Sequence, residues 1–295
     1  MRDLFSALQI CGIEYEKDAP LSRDTSFRIG GAADVLIFPK DRNELRQALS
    51  LLSDAGVDTL TVGSMSNMLF SDDGFRGAVV TTRKMSELSR RGDTVTADSG
   101  VSLTALAEYC RDNSLTGAEF LYGIPGTVGG AVYMNAGAFG FSVSDILSSS
   151  SYLKDGRIAS LDKYGHCFSY RDSIYKRNGG TVLSAEFSLS PGNRELIRSA
   201  MSELIAKRRS SQPLNKPSAG SVFKRPEGHF AGRLIEDAGL KGRRVGGAEV
   251  SEKHAGFIIN AGGATAADVT ELIDIIKTTV YERSGVLLEE EIIIV

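Results

Sequence analysis

Residues 122–140 read YGIPGTVGGAVYMNAGAFG, with six glycines in nineteen positions and apolar residues between them. Glycine inside a regular element costs about 0.5–1 kcal/mol relative to alanine. Such a density implies either backbone turns closed to other residues or something that approaches the main chain closely. Two shorter blocks share the character, TSFRIGGAAD (25–34) and VGSMSNMLFSDDG (62–74). Glycine-rich turns can aim successive backbone N–H groups at a phosphate and bind it without a lysine. Each block alone also fits a tight turn between strands. Three of them in one region fit a dinucleotide, whose long pyrophosphate needs contact from several loops.

The sequence around these blocks alternates loosely between short strands and helices. Residues 33–40, 58–63 and 77–82 are apolar or β-branched runs closed by Gly, Pro or charge, as strands are. Between the first two, Leu45, Ala48, Leu49 and Leu52 share one helical face. TVTADSG predicts another strand, followed by a helix with Leu103, Leu106, Ala107 and Cys110 on one face and Ser102 as its N-cap. After the long glycine block, SYLKDGRIASL predicts a hairpin around Asp155-Gly156, a pair suited to a type I′ turn. TVLSAEFSLS is a further strand. NRELIRSAMSELIAKRR is a helix with an apolar face of Leu196, Ile197, Ala200, Met201, Leu204 and Ile205. Later come a helix in FAGRLIEDAGL, one from about 266 to 283 with Thr265 and Asp268 spaced as a capping box, and a strand in LLEEEIIIV. The polar stretch SSQPLNKPSAG marks a boundary. Residues 1–200 form one region and 201–295 a smaller one, and the last strand can pair with either.

With 42% hydrophobic and 24% charged residues in 295 positions, the chain has a soluble globular composition. The net charge of −3 gives no reason to expect nucleic acid as a partner. No apolar run is long enough to span a bilayer, and the acidic N-terminal stretch does not resemble a signal peptide. Cys11, Cys110 and Cys167 are too far apart for a disulfide framework or a zinc knuckle, so a reducing, cytoplasmic compartment is expected. The Rossmann G-x-G-x-x-G, the P-loop, G-x-S-x-G and H-E-x-x-H are all absent. His166, His229 and His254 are widely spaced, and no metal site is expected.

The later part of the chain is chemically richer. LNKPSAGSVFKRPEG sets Ser221 after Gly220 with Lys216, Lys224 and Arg225 nearby, and SYRDSIYKRNG sets Arg171 between two tyrosines. Glu289, Glu290 and Glu291 run straight into Ile292–Val295. On a strand, Glu289 and Glu291 would share one face. Glu291 would then abut apolar residues, an odd place for a solvated charge. Each of the three has a plain alternative: a solvated loop arginine, a strand-edge hydroxyl, and an acidic run that deters edge pairing.

Seven blocks in order, TSFRIGGAAD, VGSMSN, GIPGTVGGAVYMNAGA, SYRDSIY, PSAGSVFKRP, AGRLIEDAGLKGRRVGGAEVSEKHAGFIIN and GVLLEEEI, resemble the UDP-N-acetylenolpyruvoylglucosamine reductase (UDP-N-acetylmuramate dehydrogenase) family from about Thr25 to Ile292. The resemblance implies an α+β chain with the FAD-binding fold of the p-cresol methylhydroxylase / vanillyl-alcohol oxidase type and a smaller C-terminal substrate domain. It implies non-covalent FAD, with NADPH as hydride donor. The acceptor is the enolpyruvyl group of UDP-N-acetylglucosamine enolpyruvate, and the product is the UDP-N-acetylmuramate used for peptidoglycan. The family pattern carries proton donation to Ser221 and carboxylate stabilisation to Arg171 and Glu291. Glu291 would help most when protonated, and burial beside Ile292 and Ile293 favours that form.

By the same resemblance the cofactor contacts fall at Arg28, Gly30, Gly31, Gly63, Ser64, Ser66, Asn67, Met68, Gly123, Pro125, Gly126, Thr127, Gly129, Gly130, Asn135, Ala136 and Gly137. The substrate contacts fall at Tyr170, Lys216 and Lys224. Two positions depart from the family pattern: Met65 stands where glycine is common, and Ser211 where many members have lysine. The short chain resembles the subtype without a substrate-clamping tyrosine loop. The rivals are a flavin oxidase of the same fold and a flavin- or nucleotide-binding module without catalysis. Many such oxidases attach flavin through histidine, and no histidine precedes His166.

Overall fold

The run 42–54 forms the helix Arg42–Asp54, started by Asp41, whose carboxylate accepts the N–H groups of Asn43 and Glu44. Its apolar face buries Leu45, Ala48 and Leu52 against Val35, Ile37, Ala78 and Val80 of neighbouring strands. Each such side chain contributes about 1.5–3 kcal/mol on burial. Leu4 and Leu8 of a helix Arg2–Ile10, closed by Gly12 in the left-handed conformation (φ 68°), complete this core. The computed structural model describes residues 2–295.

The chain divides into two units. The first comprises Met1–Lys17, Val35–Ser64 and Gly77–Lys207, and the second Asp18–Asp34, Met65–Arg76 and Arg208–Val295. The sequence suggested one cut near residue 200 instead. The difference has a physical reason: Phe27, Ile29 and Leu69 are buried in the same core as the C-terminal helices, so two N-terminal segments belong with the C-terminal residues.

One sheet has the strand order Glu14–Pro20, Ala32–Phe38, Phe75–Thr81, Thr59–Val62, the last pair parallel. The five-stranded sheet of the first unit is antiparallel throughout. Its order is Arg157–Asp162, Leu147–Lys154, Thr181–Ser188, Thr94–Asp98, Leu88–Arg91. The expected hairpin is present: Lys154 faces Arg157, and Asp155 and Gly156 both take positive φ (49° and 71°), as a type I′ turn requires. The helix Leu103–Asp112 starts at Ser102, whose hydroxyl accepts the Ala105 N–H. Cys110 on its inner face is buried, which pushes its thiol up to about 12 and leaves it a small hydrophobe. The helix Arg194–Ser211 buries Ile197 and Met201, but Leu196 is exposed and lies off the buried face.

In the second unit the helix Ala266–Ser284 packs Val269, Leu272, Ile273, Ile276 and Val280 against Ala231 and Ile235 of the helix Ala231–Asp237. A three-stranded antiparallel sheet, Arg244–Val245, Ala248–Val250 and Ile258–Asn260, shares this core. The predicted capping box forms between Thr265 and Asp268. Asp72 adds a second cap from far along the chain: its two carboxylate oxygens accept the N–H groups of Ala266 (2.8 Å) and Ala267 (3.0 Å). Asp72→Ala should therefore lower stability by about 1–2 kcal/mol, the upper part of the range for a lost cap. A denaturant midpoint unchanged from the parent would show that water replaces the carboxylate without cost. The last strand is shorter than expected. Only Ile293–Ile294 pairs, in parallel, with Met68–Leu69, while Glu290 makes one isolated bridge to Phe223 and Glu291 lies outside regular strand.

Candidate active site

Two glycine-rich stretches meet within the first unit. A Cβ on Gly63 would come within 2.2 Å of Thr127 Oγ1, so the absence of a side chain at 63 lets these loops touch. Thr81 Oγ1 fixes the first loop by donating to the Gly63 carbonyl at 2.9 Å. Thr127 begins the helix Val128–Met134 without capping it through its side chain. Two of that helix's first N–H groups are already engaged, Val128 with Val101 O and Gly129 with Ser99 O. Gly129 also has a packing reason for being glycine, because a Cβ there would lie 2.9 Å from Ser99 Cβ. The hydroxyls of Ser64 and Thr127 are buried without a hydrogen-bond partner among the described residues. An unsatisfied buried hydroxyl costs about 1–3 kcal/mol. Two of them on touching glycine loops fit a polar ligand such as a pyrophosphate, so the residues present suit the cofactor expected there.

Arg171 also lies in the first unit. Ser169 and Asp172 exchange two backbone hydrogen bonds of 3.2 Å, which places Tyr170 and Arg171 at the tip of a tight turn. Arg171 takes φ 56°, a left-handed conformation costing a non-glycine residue about 1–2 kcal/mol. Its guanidinium lies 5.5 Å from the Tyr170 ring centroid and makes a long contact, 3.4 Å, to the Gly137 carbonyl. Lys176 Nζ donates to the Arg171 carbonyl at 2.7 Å.

A buried polar group underlies this segment. The Ser150 hydroxyl is 2.6 Å from His166 Nε2 and 2.7 Å from Tyr175 OH, and His166 stacks on Phe168. No spacing in the sequence marks this trio. Burial pushes the His166 pKa down, and desolvation does the same to His254 in the second unit. The unfolded chain then takes up a proton near the ordinary histidine value of about 6.5, while the folded chain stays neutral. Stability is full above that pH and falls as the pH drops through it towards the folded values. Urea midpoints across pH 5–8 should decline on the acid side, and less steeply in His166→Gln. An equal slope in both proteins would show that His166 is not the group responsible.

In the second unit, Ser221 follows Gly220 and makes a bridge with Phe257. The next residue, Val222, donates its N–H to Gly256 O (2.9 Å) and accepts the N–H of Glu291 (2.7 Å). Ser221 and Glu291 are thus carried on adjoining extended segments. Glu291 is half-buried, next to buried Ile292. Its neighbours Glu289 and Glu290 are neutralised by Lys224 and Lys277 respectively. Asn67 Nδ2 donates to the Glu291 carbonyl at 3.1 Å, and the Asn67 carbonyl accepts the Ile293 N–H at 2.9 Å.

The expected cofactor residues therefore fall in both units. Gly63, Ser64, Gly123, Pro125, Gly126, Thr127, Gly129, Gly130, Asn135, Ala136 and Gly137 belong to the first. Arg28, Gly30, Gly31, Ser66, Asn67 and Met68 belong to the second. Several have a structural task as well. A Cβ on Gly31 would meet Asp72 O at 2.3 Å, and Met68 is buried in a strand. Of the expected substrate residues, Tyr170 is exposed beside Arg171, Lys216 is exposed, and Lys224 is held by Glu289.

Residues 212–295 match the model of the UDP-N-acetylenolpyruvoylglucosamine reductase C-terminal domain, and residues 33–162 match an FAD binding domain. The UDP-N-acetylenolpyruvoylglucosamine reductase of Caldicellulosiruptor bescii is 46% identical over 288 residues, 97% of this chain and 92% of that protein. The chain belongs to the UDP-N-acetylenolpyruvoylglucosamine reductase family. A crystal structure of the UDP-N-acetylenolpyruvylglucosamine reductase from Thermus caldophilus superposes with a TM-score of 0.81 at 33% identity, covering 96% of this chain and 98% of that one. A berberine bridge enzyme variant superposes with a TM-score of 0.51 at 17% identity over 65% of this chain and 44% of its own, a likeness of fold alone. As a member of the reductase family with this fold, the chain is an FAD-dependent oxidoreductase, and the expected FAD-binding architecture is the one found. His166, the first histidine in the sequence, is fully buried against Ser150, so it offers no point for covalent attachment of the flavin. Among the described residues no helix is long and apolar enough to cross a membrane.

Proposed function

We propose that this chain reduces the enolpyruvyl group of UDP-N-acetylglucosamine enolpyruvate, with NADPH as reductant, to give UDP-N-acetylmuramate for peptidoglycan synthesis. The observation that carries the reading is the Val222–Glu291 hydrogen bond, which keeps a hydroxyl and a carboxyl group on adjacent segments of the second unit. Bound FAD supplies hydride chemistry, taking two electrons from a nicotinamide and passing them to a carbon acceptor. The residues that would hold it are the two touching glycine loops, whose unpartnered Ser64 and Thr127 hydroxyls would be available to its phosphates.

When a hydride reaches the methylene carbon of the substrate, negative charge develops on the neighbouring carbon and spreads into its carboxylate. Arg171 carries a planar guanidinium and can bind that carboxylate through two parallel hydrogen bonds. Glu291 serves best in its protonated form, donating to the same developing charge. Both act most strongly where water is excluded. Ser221 then gives its hydroxyl proton to the carbon. A serine is a weak acid in water, but the carbon it faces is a strong base, so a well-placed donor suffices. The alkoxide recovers its proton from solvent after turnover.

The test is the visible spectrum of the purified protein, followed without oxygen. Flavin absorbance should bleach with NADPH and return when UDP-N-acetylglucosamine enolpyruvate is added. Return only on admitting oxygen would replace this reading with an oxidase. Bound flavin that NADPH never bleaches would favour a binding module.

A further inference from the structure

The turn that carries Arg171 is closed by long backbone bonds. Its two backbone hydrogen bonds, between Ser169 and Asp172, are each 3.2 Å, at the long end of the usual range. On either side the chain is anchored firmly: His166 and Tyr175 reach Ser150, and Ser173 Oγ donates to Tyr133 O at 2.7 Å. Three side chains are bonded to the turn from outside it: Lys176 Nζ donates to the Arg171 carbonyl, Arg177 pairs with the Asp172 carboxylate, and the third comes from a distant part of the chain. Asn135 Nδ2 donates to the Ser169 carbonyl at 3.0 Å.

Asn135 is well suited to this task. It caps the C-terminus of the helix Val128–Met134 in the left-handed conformation (φ 44°, ψ 56°), which asparagine tolerates better than most residues. Its Oδ1 accepts the Ser144 N–H at 3.0 Å. The amide can be oriented in only one way, because the Ser144 N–H can only donate and the Ser169 carbonyl can only accept. Both ends are therefore engaged by protein, and the residue itself is buried. The sequence placed Asn135 among the cofactor contacts, and its amide also links a helix end to the Arg171 turn.

We infer that Asn135 is a positioning residue for Arg171, fixing the turn from which the guanidinium reaches the substrate carboxylate. This rests on the proposed reduction of an enolpyruvyl acceptor.

Asn135→Asp tests the link. Aspartate has the same shape, tolerates the left-handed backbone and keeps the acceptor for Ser144, but turns an oxygen towards the Ser169 carbonyl. Reduction by NADPH and reoxidation by the enolpyruvyl substrate are measured separately in the parent, Asn135→Asp, Arg171→Ala and the double variant. Residues acting through one another are non-additive, so Asn135→Asp should slow reoxidation about ten-fold in the parent but less than about two-fold in Arg171→Ala. Amide exchange at Asp172 should quicken while that of the strand Thr181–Ser188 does not. Equal losses in both backgrounds, or lost flavin, would overturn the inference and return Asn135 to the cofactor. Should Asn135→Asp fail to fold, Asn135→Gly keeps the backbone conformation and deletes both hydrogen bonds, with the same outcomes deciding. A parent whose reduced flavin the substrate never reoxidises overturns the proposed function first, and this inference with it.

Discussion

Ser221→Ala should leave flavin reduction by NADPH at the parent rate and slow reoxidation by the enolpyruvyl substrate by about 10²–10⁴-fold, the usual contribution of a positioned general acid. The separation follows from where the proton goes. Reduction of the flavin by a nicotinamide needs no proton on a substrate carbon, whereas saturating the enolpyruvyl double bond does. Loss of a hydroxyl from a half-buried position next to Val222 should perturb the fold little, because the main chain there is fixed by bonds to Gly256 and Glu291. Stopped-flow traces of the two half-reactions decide the matter. Equal slowing of both would mean that Ser221 supports the flavin site rather than the proton transfer. Restoration of reoxidation in Ser221→Cys, which keeps a proton donor, would strengthen the assignment.

Met65→Gly should destabilise the protein by up to about 4 kcal/mol, although it installs the glycine that the resemblance implies at that position. Two effects compete. Met65 is 2% exposed, and truncating a buried methionine costs about 2–5 kcal/mol. Against this, Met65 takes φ 51°, a left-handed conformation that costs a side chain about 1–2 kcal/mol and glycine little. Lost packing outweighs relieved strain. The comparison with Met65→Ala is sharper still, because alanine loses the packing and keeps the strain. Met65→Ala should therefore be the less stable of the two variants, the reverse of the usual order of alanine and glycine. Denaturant midpoints in the opposite order would mean that the left-handed backbone is not what residue 65 resists. The chain holds the conformation that a family glycine would allow, so the departure at Met65 is met by the backbone and offset by burial.

The elements with strong local signals were legible in the sequence. The face of Leu45, Ala48 and Leu52, the Ser102 cap, the Thr265–Asp268 box and the Asp155-Gly156 turn all follow from periodicity or turn chemistry within a few residues. What escaped depends on long-range burial. The helix Arg2–Ile10 has only Gly12 at its end to announce it, and its place is set by a core formed with residues far along the chain. The division of the structure departs from a single cut near residue 200 for the same reason, because Phe27, Ile29 and Leu69 have no local mark of the core they join. The acidic run 289–291 looked like a strand by composition. Only Ile293–Ile294 pairs with Met68–Leu69, because the acidic run itself is bonded to the Val222–Lys224 segment instead.

The site was legible in its residue types more than in their tasks. Ser221 and Glu291 lie on adjoining segments, which no spacing could foretell. Glycine is ambiguous by nature: Gly63 opens room for Thr127 and Gly129 for Ser99, and sequence cannot separate such packing from contact with a ligand. Asn67 and Asn135 were equally ambiguous, since an amide can face a cofactor or tie two loops, and here each bonds protein backbone.

The interleaving of the second unit also bears on the order in which it can be made. The hydrogen bond from Asn67 to Glu291 spans 224 positions, and the core that buries Phe27 and Leu69 is completed by Ile276, Val280, Leu288 and Ile292. During synthesis those early apolar residues emerge long before their partners exist. Contacts of such separation are slow to form, and exposed apolar segments awaiting them are prone to aggregate. The segments of the first unit, by contrast, are all present once the ribosome has passed Lys207. A nascent chain halted beyond that point would hold every part of the half that carries Arg171, and would still lack the residues that close around Ser221.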